Sequence, residues 1–340
     1  MRKFNAENER LKARYEQYLK EAKGQDEKSL DKVRAALVRF EDSTKFKPFK
    51  AFHIEQARCF KDALSKAKTA KGKPLSLSTT DATLRLVKGF FHWLAGQQGF
   101  KKIVSYSDVE YFNNNMKDAR AAHAQRPQPY PSLQQCAHAF RLMPEETGLH
   151  NRDKALFALW VMTGARAGAL ASLRLKHVNL IDGLVFQDGR EVKTKNAKTL
   201  ETWFFPVDPM YLTFFTAWVQ HLTNDHLFGP GDALFPKQRL TNVNGRFVAN
   251  GFEREPYANS QIVNMVVGAA FTNSGQPVFA PHSIRRTLAM WGDRICTTME
   301  QRKAWSQNLG HESLSTTISA YMPVNRERQG ELLKSLTDTN

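Results

Sequence analysis

Cysteine is scarce in this chain of 340 residues: Cys59, Cys136 and Cys296 stand far apart. That number and spacing exclude a disulfide framework and a zinc ribbon, and fit a reducing compartment. Long apolar runs are missing as well. No stretch approaches the roughly 20 residues that a membrane-spanning helix needs, so no membrane partner is expected. The opening segment, MRKFNAENERLKARYEQYLKEAKG, interleaves bases with acids and lacks the apolar core of a signal peptide, which points to a cytoplasmic location. Metal-ligand spacings are absent, so neither a metal nor a cofactor is expected. Acids are in deficit: 33 Asp and Glu face 49 Lys and Arg, a net charge of +16, and a polyanion is the commonest partner for such a surplus. Charge alone does not separate DNA, RNA and anionic lipid.

What is present is a globular composition, 41% hydrophobic and 24% charged, in a chain longer than one core usually organises. Two domains are the natural expectation. Residues 1–126 read as a helical bundle in which strand signals are few. Leu11, Tyr15, Tyr18 and Leu19 form one stripe and Leu30, Val33, Leu37 and Phe40 the next. A third helix is expected over residues 54–67, followed by a lysine-rich turn at 66–73. Thr79 or Thr80 would cap a fourth, with Leu84, Val87, Phe91 and Leu94 on one side, and a capping-box pattern at Ser107 and Glu110 precedes a fifth. Phe90, Trp93, Tyr111 and Phe112 read as core residues. Three prolines in RPQPYP at 126–131 forbid a helix, so residues 127–131 form a linker and residues 132–340 a second domain.

In that second part Ser132 and Asn151 are candidate helix caps leading to a tight turn at Thr163 and Gly164. The pattern then shifts to period two, predicting strands at 184–187, 191–194 and 202–207, with turns at 188–189 and 196–199 around Lys193, Lys195 and Lys198. Residues 227–257 read as a long loop or an exposed hairpin. Ser260 opens a further helix. The fold expected is mainly α with a small antiparallel β-sheet.

Residues 281–321 concentrate the chemistry. His282 and Arg285 are three apart beside apolar positions at helical spacing, which places both on one helix edge. Thr297 to Glu300 reads as a capping box, Gly310 as a helix stop, and His311 follows it. Tyr321 is the last tyrosine. Arginines, histidines, a lysine and a phenol without metal ligands suit displacement at a phosphodiester, since guanidinium forks donate in parallel to phosphate oxygens and stay protonated. Taken singly, each His is more often structural and Tyr321 more often half-buried core.

The ordered set T-G-A-R at 163–166, H-x-x-R at His282 and Arg285, L-G-H at 309–311 and the late Tyr321 resembles the tyrosine recombinase, or phage integrase, family. The resemblance extends from about Ser132 to the C-terminal region. It implies an N-terminal helical core-binding, SAM-like domain and a mixed α/β catalytic domain that close around double-stranded DNA. Carried over by position, Arg166 and Arg285 would clamp the scissile phosphate, His311 would bond to it, and Tyr321 would attack. Lys195, in the V-K-T-K-N-A-K run, would protonate the departing 5′ oxygen, with His282 assisting proton transfer; Lys193 and Lys198 remain alternatives because hairpin register is open. The implied product is a 3′-phosphotyrosyl link formed without metal or ATP, and the location would be nucleoid-associated. The amphipathic tail at 325–336 resembles an exchanged helix, implying a homotetramer on paired DNA sites. Two departures stand out. The family commonly carries an acid three residues after the first arginine, where this chain has Ala169, and the spacing from His311 to Tyr321 is one residue longer than in familiar members. A type IB topoisomerase and a DNA-binding accessory protein with a decayed site are the rival readings.

Overall fold

The computed structural model describes residues 4–124, 128–311 and 326–335. Chain contacts divide it into two compact units, Met1–Arg126 and Pro127–Asn340. Each has its own hydrophobic core.

The first unit is helical: α1 (Ala6–Glu21), α2 (Glu27–Ser43), α3 (Ile54–Lys66), α4 (Leu77–Ala95), a single turn α5 (Tyr106–Val109) and α6 (Met116–His123). Its core is built of phenyl rings. Phe40 meets Phe60 and Phe91 edge to face at 5.3 and 5.0 Å, an arrangement set by the ring quadrupole. The expected stripes on α1 and α2 are buried, apart from a half-buried Tyr18. Caps fall elsewhere than the sequence suggested. Ser76 caps α4, and Ser105 with Asp108 forms the box that opens α5. Tyr111 lies outside the core, exposed beneath Arg58. Also unforeseen is a buried polar knot: Glu41 accepts from Lys12 at 2.7 Å and Asn8 at 2.9 Å, and Asn8 in turn accepts from the Phe49 amide. Every member is paired, as burial of charge requires.

In the second unit α7 (Leu133–Arg141) and α8 (Gly148–Thr163) lead to the short α9 (Ala167–Ser172). Ser132 caps α7 through a box with Gln135, whereas Thr147, not Asn151, caps α8. From Ala155 onward α8 is buried on every side, which fits a helix apolar all round. Next come β1 (Val178–Asn179), β2 (Leu184–Gln187) and β3 (Leu200–Trp203), an antiparallel sheet in that order, with Gln187 opposite Leu200. Residues 191–194 are not a strand. The two expected turns belong to one loop spanning 188–199, because Val192 leaves the ladder to enter the core. The third strand starts two residues earlier than expected.

Helix α10 (Met210–Gln220) follows, and the undecided stretch contains an exposed hairpin of β4 (Gln238–Val243) and β5 (Arg246–Phe252). Asn244 and Gly245 turn it with left-handed φ of 51° and 79°, the pattern two-residue hairpins favour. Helices α11 (Gln261–Asn273), α12 (Ile284–Ile295) and α13 (Met299–Asn308) complete the body, and a helix spans Arg326–Ser335. Thr298 and Gln301, one residue beyond the expected box, cap α13. Among the described residues no helix is long and apolar enough to cross a membrane. The architecture is mainly helical with small antiparallel sheets.

Candidate active site

Three distant segments meet at Arg285. T-G-A-R turns out of α8, whose last residue Thr163 bonds back to the Leu159 carbonyl and takes the Ala165 amide. Gly164 then adopts a left-handed φ of 58°. A methyl there would also come 2.8 Å from Leu288 Cδ1, so the turn accepts only glycine without strain. Arg285, on the first turn of α12, is 3% exposed. It donates from Nη1 to the Gly164 carbonyl at 3.0 Å, and from Nη2 to the Leu309 carbonyl and to His311 Nε2, the latter at 3.0 Å. One guanidinium therefore joins the 163–166 turn to the end of α13.

His311 sits where it does because α13 stops. Gly310 takes φ 69°, and the His311 amide returns to the Ser306 carbonyl. The ring is 8% exposed. Burial, then the positive charges of Arg285, Arg166, His282 and Lys198, hold its pKa down at about 4. The imidazole is neutral near pH 7, and since Nε2 accepts from Arg285 its proton lies on Nδ1. His282 is not on the helix edge with Arg285. It lies in a separate 3-10 turn, Pro281–Ser283, which Trp160 pins by donating its indole N–H to the Pro281 carbonyl at 2.8 Å. Its pKa is also lowered, by desolvation and by Arg285, Arg166 and Lys195.

Arg166 is the residue before α9, in extended conformation. It lies beside the L-G-H segment: a methyl on Gly310 would come 4.0 Å from its Nη1. Its guanidinium has no hydrogen bond or ion pair among the described residues. Ala169, where an acid was missed, is buried among apolar neighbours, so no carboxylate reaches Arg166 from that position.

The loop at 188–199 brings the lysines in. Lys195 is exposed and Lys198 half-buried; the charge of the first acts on His282 and that of the second on His311. Lys193 is turned elsewhere, its Nζ donating to the Ala258 carbonyl. The structure thus brings together Arg166, Lys195, Lys198, His282, Arg285 and His311. Tyr321 lies outside the described residues, as do the hydroxyls Ser315, Thr316 and Thr317. The described residues contain no cluster of metal-ligating side chains.

Sequence reasoning missed the supports. Asn308 pairs with both main-chain groups of Trp203, at 2.7 and 2.9 Å, and so fixes α13 to β3 as an extra strand would. Ser172 binds the lysine loop. Neither carries a pattern by which it could have been singled out, because each partner is remote in the chain.

The family model described as the phage integrase family matches residues 135–328. No curated protein matches the chain. Among solved structures it is similar to a Tn1549 transposon integrase in complex with transposon right end DNA, with 12% identity, TM-score 0.63, and coverage of 96% of this chain and 98% of that one. A XerH site-specific recombinase bound to palindromic difH substrate gives 16%, 0.61, 95% and 83% respectively. A lambda integrase dimer bound to a COC′ core site gives 15%, 0.60, 93% and 95%. At such identities the likeness is one of fold.

Proposed function

Since the chain belongs to the phage integrase family, we propose that it is a site-specific DNA recombinase that cuts and rejoins strands through a 3′-phosphotyrosyl intermediate. The observation that carries this reading is the meeting of the three motif segments at buried Arg285, with the Arg166 guanidinium, free of hydrogen bonds among the described residues, beside it. Such a pocket of fixed cations is complementary to charge developing on the non-bridging oxygens of a phosphodiester.

In this mechanism Arg166 and Arg285 hold the scissile phosphate, and His311 donates a hydrogen bond to it from its protonated nitrogen. Tyr321 Oη attacks phosphorus, and the P–O5′ bond breaks. Lys195 Nζ gives its proton to the departing O5′, while neutral His282 takes up the phenol proton; the products are a phosphotyrosyl ester and a 5′ hydroxyl, with protons balanced. Lowering of the His282 pKa by burial and then by its cationic neighbours favours the base form it needs. A 5′ hydroxyl from another strand can reverse the step, because the ester is retained in the covalent link. Duplex DNA is the partner in this reading. The helix Arg326–Ser335, with exposed Leu333, would join protomers into a tetramer on paired sites.

The test is a pool of nicked duplexes with randomised centres, from which complexes that survive detergent are recovered. Wild type yields a covalent complex and Tyr321→Phe none. No complex from any member of the pool would instead identify a binding module, and relaxation of site-free supercoiled plasmid a topoisomerase.

A further inference from the structure

The loop that carries Lys195 is tied to the helix that begins at Arg166. Ser172, the last residue of α9, is 3% exposed and donates its hydroxyl hydrogen to the Gly168 and Ala169 carbonyls, both at 3.0 Å. The same oxygen accepts from the backbone amide of Lys193 at 2.9 Å. The fit is close, since a methyl on Gly168 would come 3.0 Å from the Lys193 carbonyl oxygen. Glu191 adds an ion pair to Lys176 at 2.6 Å and a bond to the buried His177 at 3.2 Å. On the far leg Gly189 donates to Thr199 Oγ1 at 3.0 Å, and any side chain at 189 would strike the Ala197 carbonyl. Two residues beyond its anchored neighbour Lys193, Lys195 is exposed, and its side chain makes no hydrogen bond or ion pair among the described residues. A loop of this length carrying an exposed lysine would sample many conformers unless its base were held.

We infer that Ser172 is a positioning residue: its hydroxyl latches the 188–199 loop to α9, so that Lys195 and Arg166 are presented together to one phosphate. The inference rests on the phosphotyrosyl reading above. Ser172 itself exchanges no proton with substrate. Its effect is on the proton that Lys195 passes to the leaving 5′ oxygen.

A substrate whose bridging 5′ oxygen is replaced by sulfur separates this role from a general structural one. A thiol ionises near a pKa of about 8.5, so its departure needs no proton donor, whereas an alkoxide's does. On nicked duplexes recovered from the pool, Ser172→Ala slows covalent-complex formation about tenfold or more with the ordinary substrate, part of the roughly 10²–10⁴-fold that general acid catalysis supplies. With the sulfur substrate its rate matches wild type. Glu191→Gln shows the same split, and adding Ser172→Ala to Lys195→Ala causes no further loss, as expected of residues acting in one step. Hydrogen exchange at the Lys193 amide is slow in the wild type, a measurement that stands even if a variant folds poorly. Equal slowing on both substrates, no slowing on either, or fast exchange at Lys193 overturns the latch. If wild type forms no covalent complex with either substrate while Lys193 exchange is slow, the recombinase reading fails and the positioning role falls with it.

Discussion

At the scale of single residues, His311 shows how surroundings decide chemistry. Its ring is surrounded by cations and mostly removed from water, so the folded protein resists protonating it until about pH 4. The unfolded chain binds that proton near pH 6.5. Between these values the unfolded state holds more protons, so stability falls as the pH is lowered through this window, by up to roughly 3 kcal/mol from this group alone. His311→Asn should flatten the loss: melting temperatures of wild type and variant, compared at pH 7 and pH 4.5, converge towards acid. A constant gap between them would contradict the assignment. The sequence placed His311 after a helix stop but was silent on its bond to Arg285, which depends on two side chains 26 positions apart.

At the scale of elements, the site depends on how helices end. Gly164 closes α8 and Gly310 follows α13, each left-handed, and the segments they turn carry Arg166 and His311. Gly164→Ala must accept both the left-handed backbone and a contact at 2.8 Å to Leu288, which together cost about 2–4 kcal/mol. Denaturant unfolding should show a midpoint shift of that size with an unchanged slope; a loss below about 0.5 kcal/mol would mean that the turn relaxes freely. These turns were legible in the sequence because T-G-A-R and L-G-H combine a breaker with flanking helical patterns. The lysine loop was not. Alternation over residues 191–194 suggested a strand, yet burial of Val192 and the bond from Lys193 to Ser172 draw the chain off the sheet. Tertiary contacts outweigh local propensity there.

For the whole molecule the dominant quantity is charge. With +16 on 340 residues, the duplex DNA proposed above as partner should be bound chiefly through its phosphates. Neutralising roughly six to ten of them weakens affinity by about three to five decades between about 50 and 200 mM salt. A titration by fluorescence anisotropy should give that steep slope, and an affinity indifferent to salt would exclude a phosphate-tracking surface. Each unit meets the burial requirement with its own core, one of packed phenyl rings and one centred on α8. The sequence predicts a proline-rich connector at 127–131, because three prolines cannot continue a helix.

The sequence by itself determined the class of fold, the order of the motifs and the types of residue available for phosphoryl chemistry, because helical periodicity, breakers and side-chain chemistry are local properties. Only the tertiary structure decided that Arg285 joins two chain segments through their carbonyls, that His282 stands off the helix on a turn pinned by Trp160, and that Lys193 points to Ala258 while the charges of Lys195 and Lys198 act on the histidines. Those outcomes rest on hydrogen bonds and charge interactions between residues remote in the chain, and no local pattern encodes where such partners meet.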